Sequence, residues 1–403
     1  MNETSDRSDP QASRWFVAVV VFTVLSMAVL SGTRTLISYR ALALGGDAIA
    51  VGVITAAFSV LPLFIALQVG RSIDRGKGVG VLRLGGFVSL FAVALTAVSA
   101  DLITLALASA TLGLGQILST VATQGLIPLW SAPADYDRRF ANLTLAVSFG
   151  QLLGFPIAGA IAMWTTSPES AGVATTPAIA AMGVIAALAI PVCFVFRRQS
   201  VPAISRKAHA ASQQSALTLL RTPGMKPAIY SSLAVLTSID MLAAYLPLLG
   251  QEIGLSVAVV TTLLTVRTGA SIVSRATLTA IVRVTRRRTL LISATLCSAV
   301  PMLLVAFIPF PIGLGVLTFV MGFFFGIGQP LSMSWVTTVA DERNRGASLS
   351  ARLAGNRVGQ LVMPLGAGAL AAVTGPGAIF IFTGLLLLTS AMVTFNATKD
   401  MRD

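Results

Sequence analysis

Charge is what this sequence has least of: 11% of its 403 residues are Asp, Glu, Lys or Arg, while 55% are hydrophobic. A soluble domain carries roughly 25% charged residues, so a water-facing surface of ordinary size cannot be built from this supply. Histidine occurs once, as His209 in a polar stretch without a second ligand nearby, which leaves no metal-binding set. The only cysteines, Cys193 and Cys297, sit in separate apolar runs, where small buried thiols are expected and a disulfide is not. No phosphate-binding loop of the form G-x-x-x-x-G-K-[ST] is present, so ATP is not the fuel. Strand-like alternation is missing too, and with it a membrane β-barrel. None of these residue types calls for a cofactor.

What is there is a series of apolar runs, each long enough to cross a hydrocarbon core that takes about 20 helical residues. Spans are expected at 14–36, 49–70, 82–100, 102–126, 142–164, 176–196, 227–249, 257–282, 290–309, 312–338, 349–373 and 377–395. The fold class is therefore an all-α membrane protein of twelve transmembrane helices. The first run, Trp15 to Leu30, has no small-residue cleavage pattern behind it and is expected to be retained. Its division is a tail at 1–13, a six-helix bundle at 14–196, a polar linker at 197–226, a second bundle at 227–395 and a tail at 396–403.

The net charge of +13 raises the question of nucleic acid, and the placement of the basic residues answers it. They gather in alternate loops, at Arg71, Arg75, Lys77 and Arg83, at Arg138 and Arg139, in the linker, at Arg283 and Arg286 to Arg288, and at Arg343 and Arg345. The intervening loops hold only Arg40. By the positive-inside rule both termini are expected in the cytoplasm of a bacterial inner-membrane protein, and no nucleic-acid partner is implied.

The halves repeat. Gly113-Leu-Gly-Gln116 in helix 4 matches Gly326-Ile-Gly-Gln329 in helix 10, and Gly150-Gln-Leu-Leu with Pro156 matches Gly359-Gln-Leu-Val with Pro364. The basic loop after helix 2 has a counterpart at Arg283 to Arg288. A shared offset of roughly 210 residues marks two pseudo-symmetric six-helix bundles, the architecture of many secondary transporters.

The loop after helix 2 reads Gly70-Arg-Ser-Ile-Asp74-Arg75-Gly76-Lys77 and resembles the signature G-x-x-x-D-R-x-G-R-R/K of the major facilitator superfamily. The resemblance implies a conformational latch of Gly70, Asp74 and Arg75, with Asp74 meeting helix 11 around Gly346 to Ser350. The C-terminal counterpart has Ala280 for the glycine and Val284 for the aspartate, so only the first latch is expected to work. Helix 5 carries Gly150-x-x-x-Gly154-Phe-Pro156-x-x-Gly159-Ala160, similar to the family's antiporter signature with Phe155 inserted. Small residues four apart make a flat packing face and the proline bends the helix, which suits a pivot between the halves. The helix 4 arginine of antiporters is replaced by Ser109.

Six charges are expected inside the membrane: Arg34, Asp240, Arg267, Arg275, Arg352 and Arg357. Facing lipid at mid-depth, each costs about 2.5–3.5 kcal/mol, so they are expected to face protein or water. Helices 3, 6, 9 and 12 are read as uncharged, with Arg83 counted among the loops, and as the outer wall. Asp240 is the one carboxylate within the spans and the candidate for proton coupling; an ion pair with Arg34 or Arg267 is the rival role. Arg34, Arg267, Arg357, Asn356, Gln360, Gln329 and Gln116 are the candidates for binding substrate, since guanidinium groups take carboxylates and phosphates and the amides supply a polar rim. Arg275 and Arg352 lie where a long side chain can snorkel to the surface. The function implied is alternating-access transport of a small organic molecule with protons as partner, acting as a monomer in the bilayer. Export is the preferred direction, with proton-coupled uptake of an organic anion as the alternative. A membrane-embedded enzyme or a sensor is the reading from another class, and clustered catalytic groups for an enzyme are lacking.

Overall fold

In lipid every backbone N–H and C=O must be satisfied within the chain, and a sequence without strand alternation meets that demand only as helices. The computed structural model describes the backbone of residues 10–131, 135–166, 173–195, 222–339 and 345–398. Among these residues are twelve helices long and apolar enough to cross a membrane. The first six are α1 (Pro10–Ala43), α2 (Ala48–Ser72), α3 (Gly78–Val98), α4 (Leu102–Trp130), α5 (Tyr136–Thr165) and α6 (Thr175–Val192). The second six are α7 (Met225–Glu252), α8 (Val257–Val284), α9 (Arg287–Leu304), α10 (Pro311–Val339), α11 (Arg345–Thr374) and α12 (Gly377–Ala397). The basic clusters lie at one end of the molecule, called here the basic end. At the opposite end, Asp47, Asp101 and Ser256 cap α2, α4 and α8 by accepting hydrogen bonds from the free N–H groups of their first turns.

Two expectations shift. Helix 1 runs to Ala43 rather than 36, because Tyr39 and Ala41 are buried at 1% and 0% exposure and Arg40 donates to the Ser99 carbonyl at 2.8 Å. Tertiary packing extends a helix that hydropathy alone ends early. Arg83 lies inside α3 rather than in the loop, its Nε donating to the Cys193 carbonyl at 3.2 Å and its guanidinium 4.7 Å from the Phe194 ring. Most of the 197–226 linker falls in 196–221, which lies outside the described residues, and α7 already begins at Met225.

The repeat seen in the sequence is a repeat of contacts. Within the first bundle α1 packs on α5 and α6, and α4 on α2 and α3; within the second, α7 packs on α11 and α12, and α10 on α8 and α9. A side chain at Gly150 would strike the backbone of Val24 in α1, and one at Gly359 would strike Leu233 in α7, both pairs shifted by 209 positions. The turns after α1 and α7 also correspond, with Gly45 and Gly254 at φ 80° and 73°, the left-handed region that favours glycine.

The bundles meet along α2 with α11, α5 with α8, and α1 with α7. At the opposite end this joint is tight: a methyl group on Gly52 would meet the Pro364 carbonyl and the Tyr245 hydroxyl, and one on Gly368 would lie 2.7 Å from the Ala48 carbonyl. Tyr245 is fully buried and its hydroxyl donates to the Pro364 carbonyl at 2.8 Å, fixing α7 to α11 beneath the joint. Tyr245→Phe is expected to cost about 1 kcal/mol, read as a lower melting temperature of detergent-purified protein.

Candidate functional site

Helix directions alternate, so residues remote in sequence come to one depth where α1, α7, α8 and α11 converge. Arg34 of α1 donates from Nη1 to Asp240 Oδ1 of α7 at 2.7 Å, and its guanidinium stacks 4.4 Å from the Phe58 ring of α2. The other carboxylate oxygen, Oδ2, accepts from Gln360 Nε2 of α11, whose Oε1 in turn accepts from Arg357 Nη1 at 3.0 Å. A continuous polar chain thus runs Arg34–Asp240–Gln360–Arg357. Among the described residues, Arg34–Asp240 is the one ion pair that joins the two bundles.

Arg267 of α8 lies close enough to feel the charge of Asp240 but does not pair with it. Only 5% of Arg267 is exposed. Its Nη2 bonds the Thr268 hydroxyl at 3.1 Å, and its Nε has no partner. Beneath it Gly322 of α10 packs against the Arg267 carbonyl, so close that any larger residue there would displace α8.

The remaining polar candidates are dispersed. Gln329 belongs to another knot, in which Arg275 of α8 donates to Gln329 Oε1 at 2.7 Å and to Ser148 Oγ of α5 at 2.8 Å. Arg275 is therefore engaged across the bundle joint rather than snorkelling. Asn356 turns toward α7 and accepts from Ser232 at 3.1 Å, and Gln116 donates to Thr120 at 2.9 Å on its own helix. Arg352 is 7% exposed with its Nε unpartnered, so it does not reach the surface either.

For the latch, Lys77 occupies the place of the signature's second glycine and Gly76 stands one place before it, where it holds the left-handed turn between α2 and α3 at φ 81°. Gly70 faces open space, Arg75 is exposed, and the side chains of Asp74 and of Gly346, Ala347 and Ser350 lie outside the described residues. The helix 5 glycines divide their work. Gly150 and Gly154 receive α1 of their own bundle, at Val24, Met27, Ala28 and Ser31, whereas Gly159 receives Thr261 of α8 across the joint. Pro156 is on the exposed side of α5.

The sequence profile of the Major Facilitator Superfamily matches residues 19–283 and again 229–401. The chain belongs to this superfamily. Among solved structures it is similar to the nucleoside transporter NupG in a mutant form, with a TM-score of 0.80 at 12% identity, covering 96% of this chain and 100% of that one. It is also similar to a bacterial homolog of the human lysosomal transporter Spinster in an inward-facing, unoccupied conformation, with a TM-score of 0.77 at 13% identity over 97% and 98% of the two chains. A POT family transporter in complex with a thioalcohol-conjugated peptide gives 0.75 at 12% identity over 94% of each chain. None of the curated proteins matches the sequence. At these identities the likeness speaks for the fold. The major facilitator fold makes this a multi-pass membrane protein and a secondary transporter that works by alternating access.

Against the superfamily's internal symmetry, the site of this chain is lopsided. Gly113 and Ser109 of α4 approach the carbonyls of Phe58 and Ile54 in α2, as Gly326 and Gly322 of α10 approach those of Ser271 and Arg267 in α8, each pair displaced by 213 positions. Arg267 thus stands where the first bundle has Ile54. By the 209-residue shift of α1 to α7 and α5 to α11, Asp240 stands opposite Ser31, Arg357 opposite Ser148, and Gln360 opposite Gln151. Among the described residues, Arg34 is the only charge the first bundle adds to the cluster. Sequence reasoning passed over Ser148, Phe58 and Gly52, yet the repeat offset placed Ser148 opposite Arg357 all along.

Proposed function

We propose that this chain is a proton-coupled carrier of a small organic molecule, with Asp240 as the group that takes and gives up the proton. The observation that supports it most is the single carboxylate bound at once by Arg34 of the first bundle and Gln360 of the second. Protonation discharges Asp240 and releases Arg34, and with it the one ion pair holding α1 to α7 among the described residues. Proton occupancy and the closure of the joint are then one event, which is what coupling requires. In this reading the basic end faces the cytoplasm of a bacterial inner membrane, both termini with it, and the monomer is the working unit.

Two directions are open to such a carrier. The likeness of helix 5 to the antiporter signature supports export in exchange for protons. Three guanidinium groups, Arg34, Arg267 and Arg357, around one carboxylate support uptake of an organic anion with protons. In proteoliposomes carrying a pH-sensitive dye, substrate added to one side is expected to move protons across the membrane with it or against it. Substrate movement that leaves the internal pH untouched would refute the proton-coupled reading.

A further inference from the structure

The cations of the site are unequally satisfied. Arg34 is neutralised by Asp240, Arg357 rests on the Gln360 carbonyl oxygen, and Arg275 has two neutral acceptors. Arg267 has only the hydroxyl of its own neighbour, Thr268. Its Nε is buried without a partner, and among the described residues its Nη1 makes no hydrogen bond either. A buried guanidinium left so is strongly unfavourable for the empty protein and is the natural complement of an oxyanion. The first bundle manages with Ile54 at the equivalent position, so nothing in the packing of the fold calls for a cation there.

We propose that the substrate is an organic anion whose carboxylate or phosphate oxygens bind Arg267, and that this anion crosses the membrane together with the proton. The inference rests on the carrier reading and decides its direction. The charged groups facing Asp240 are Arg34 from α1, Arg267 from α8 and Arg357 from α11, with the Gln360 amide beside them; α2, α10 and α12 bring no titratable side chain to it. An anion on Arg267 and the ionised Asp240 repel each other, and Asp240 keeps Arg34 occupied. A proton on Asp240 removes that repulsion and frees Arg34 to join Arg267. Anion and proton therefore favour each other's binding, and favourable binding of two ligands on one carrier is the condition for carrying both in one direction. With protons more concentrated outside, that direction is inward.

The closing experiment has a ligand-free arm and a ligand arm. Without ligand, Arg267→Met is expected to raise the melting temperature of purified protein by about 2 °C or more, while Arg34→Met lowers it by stranding Asp240. With ligand, benzoate is compared with benzamide, succinate with succinamide, and inorganic phosphate with buffer alone. Stabilisation by an anion and not by its neutral partner is expected in wild type and absent from Arg267→Met, and the apparent Kd falls by up to about tenfold per unit drop in pH. A response to phosphate without one to the carboxylates assigns the oxyanion to a phosphate. A destabilised Arg267→Met, neutral partners that bind as well as the anions, or anion binding that weakens as pH falls would each overturn the proposal. A carrier that moves protons with a neutral substrate would pass the dye assay and fail here, which separates the two readings.

Discussion

Asp240→Asn is expected to leave the protein in the membrane and to abolish proton-driven accumulation while sparing exchange. Asparagine keeps the shape of the side chain and an oxygen for Arg34 or Gln360, so the chain through α1, α7 and α11 loses charge but not its outline. What it loses is the proton. One pH unit is worth about 1.4 kcal/mol per proton, roughly a tenfold concentration ratio in a tightly coupled carrier. Wild type should reach a ratio of that order under an imposed gradient of one unit, and Asp240→Asn should stop near unity. Counterflow, in which labelled substrate exchanges against unlabelled, needs no net proton movement and should stay within a factor of a few of wild type. A mutant that still accumulates substrate in step with the pH gradient would remove Asp240 from the coupling role. If counterflow also vanished, the ion pair with Arg34 would be holding the site together, and Arg34→Met with Asp240→Asn in one protein would then restore stability that either change alone had removed.

How much of this was legible in the sequence follows from which physical signal each feature leaves there. Length and apolar content mark a span whatever its neighbours, so all twelve helices were expected where they occur. Their ends depend on neighbours: Arg40 and Tyr39 look like the exit of helix 1 by hydropathy, and only the packing of Tyr39 and the bond from Arg40 to Ser99 keep them helical. Charges and amides inside spans stand out one by one, so Arg34, Asp240, Arg267, Arg357 and Gln360 were all named, but their pairing was not. Arg34 and Arg267 are equally plausible partners for Asp240 until α1 and α8 are set beside α7. The apolar and small partners leave no such trace. Phe58 beneath Arg34 is one more phenylalanine in an apolar run, and Gly52 is one of 35 glycines.

Glycine in such a chain has two separate jobs, and substitution should tell them apart. Gly113 lies where α4 meets the Phe58 carbonyl of α2, inside one bundle, and any side chain there would overlap that backbone. Alternating access moves the bundles as bodies, so a contact within a bundle persists in every state. Gly113→Leu is therefore expected to destabilise all states together, by about 3 kcal/mol or more given the loss of close packing and the strain of overpacking, and to be recovered poorly after extraction. Gly52 lies where α2 meets Pro364 and Tyr245 across the joint, a contact that alternating access is expected to break when the end opposite the basic loops opens. Gly52→Leu is expected to fold and extract normally but to hold that end open, because the added side chain clashes in one state alone. A shift of about 3 kcal/mol against the closed state would turn the balance by more than 100-fold, enough to stop transport outright. Single cysteines placed in the joint on a Cys193→Ser, Cys297→Ser background would then react with a membrane-impermeant maleimide added on the side that this end faces, whereas in wild type they are expected to be shielded. Equal labelling of Gly52→Leu and wild type, or a Gly113→Leu protein of unchanged stability, would mean that the two bundles do not move as the rigid units their matched contacts describe.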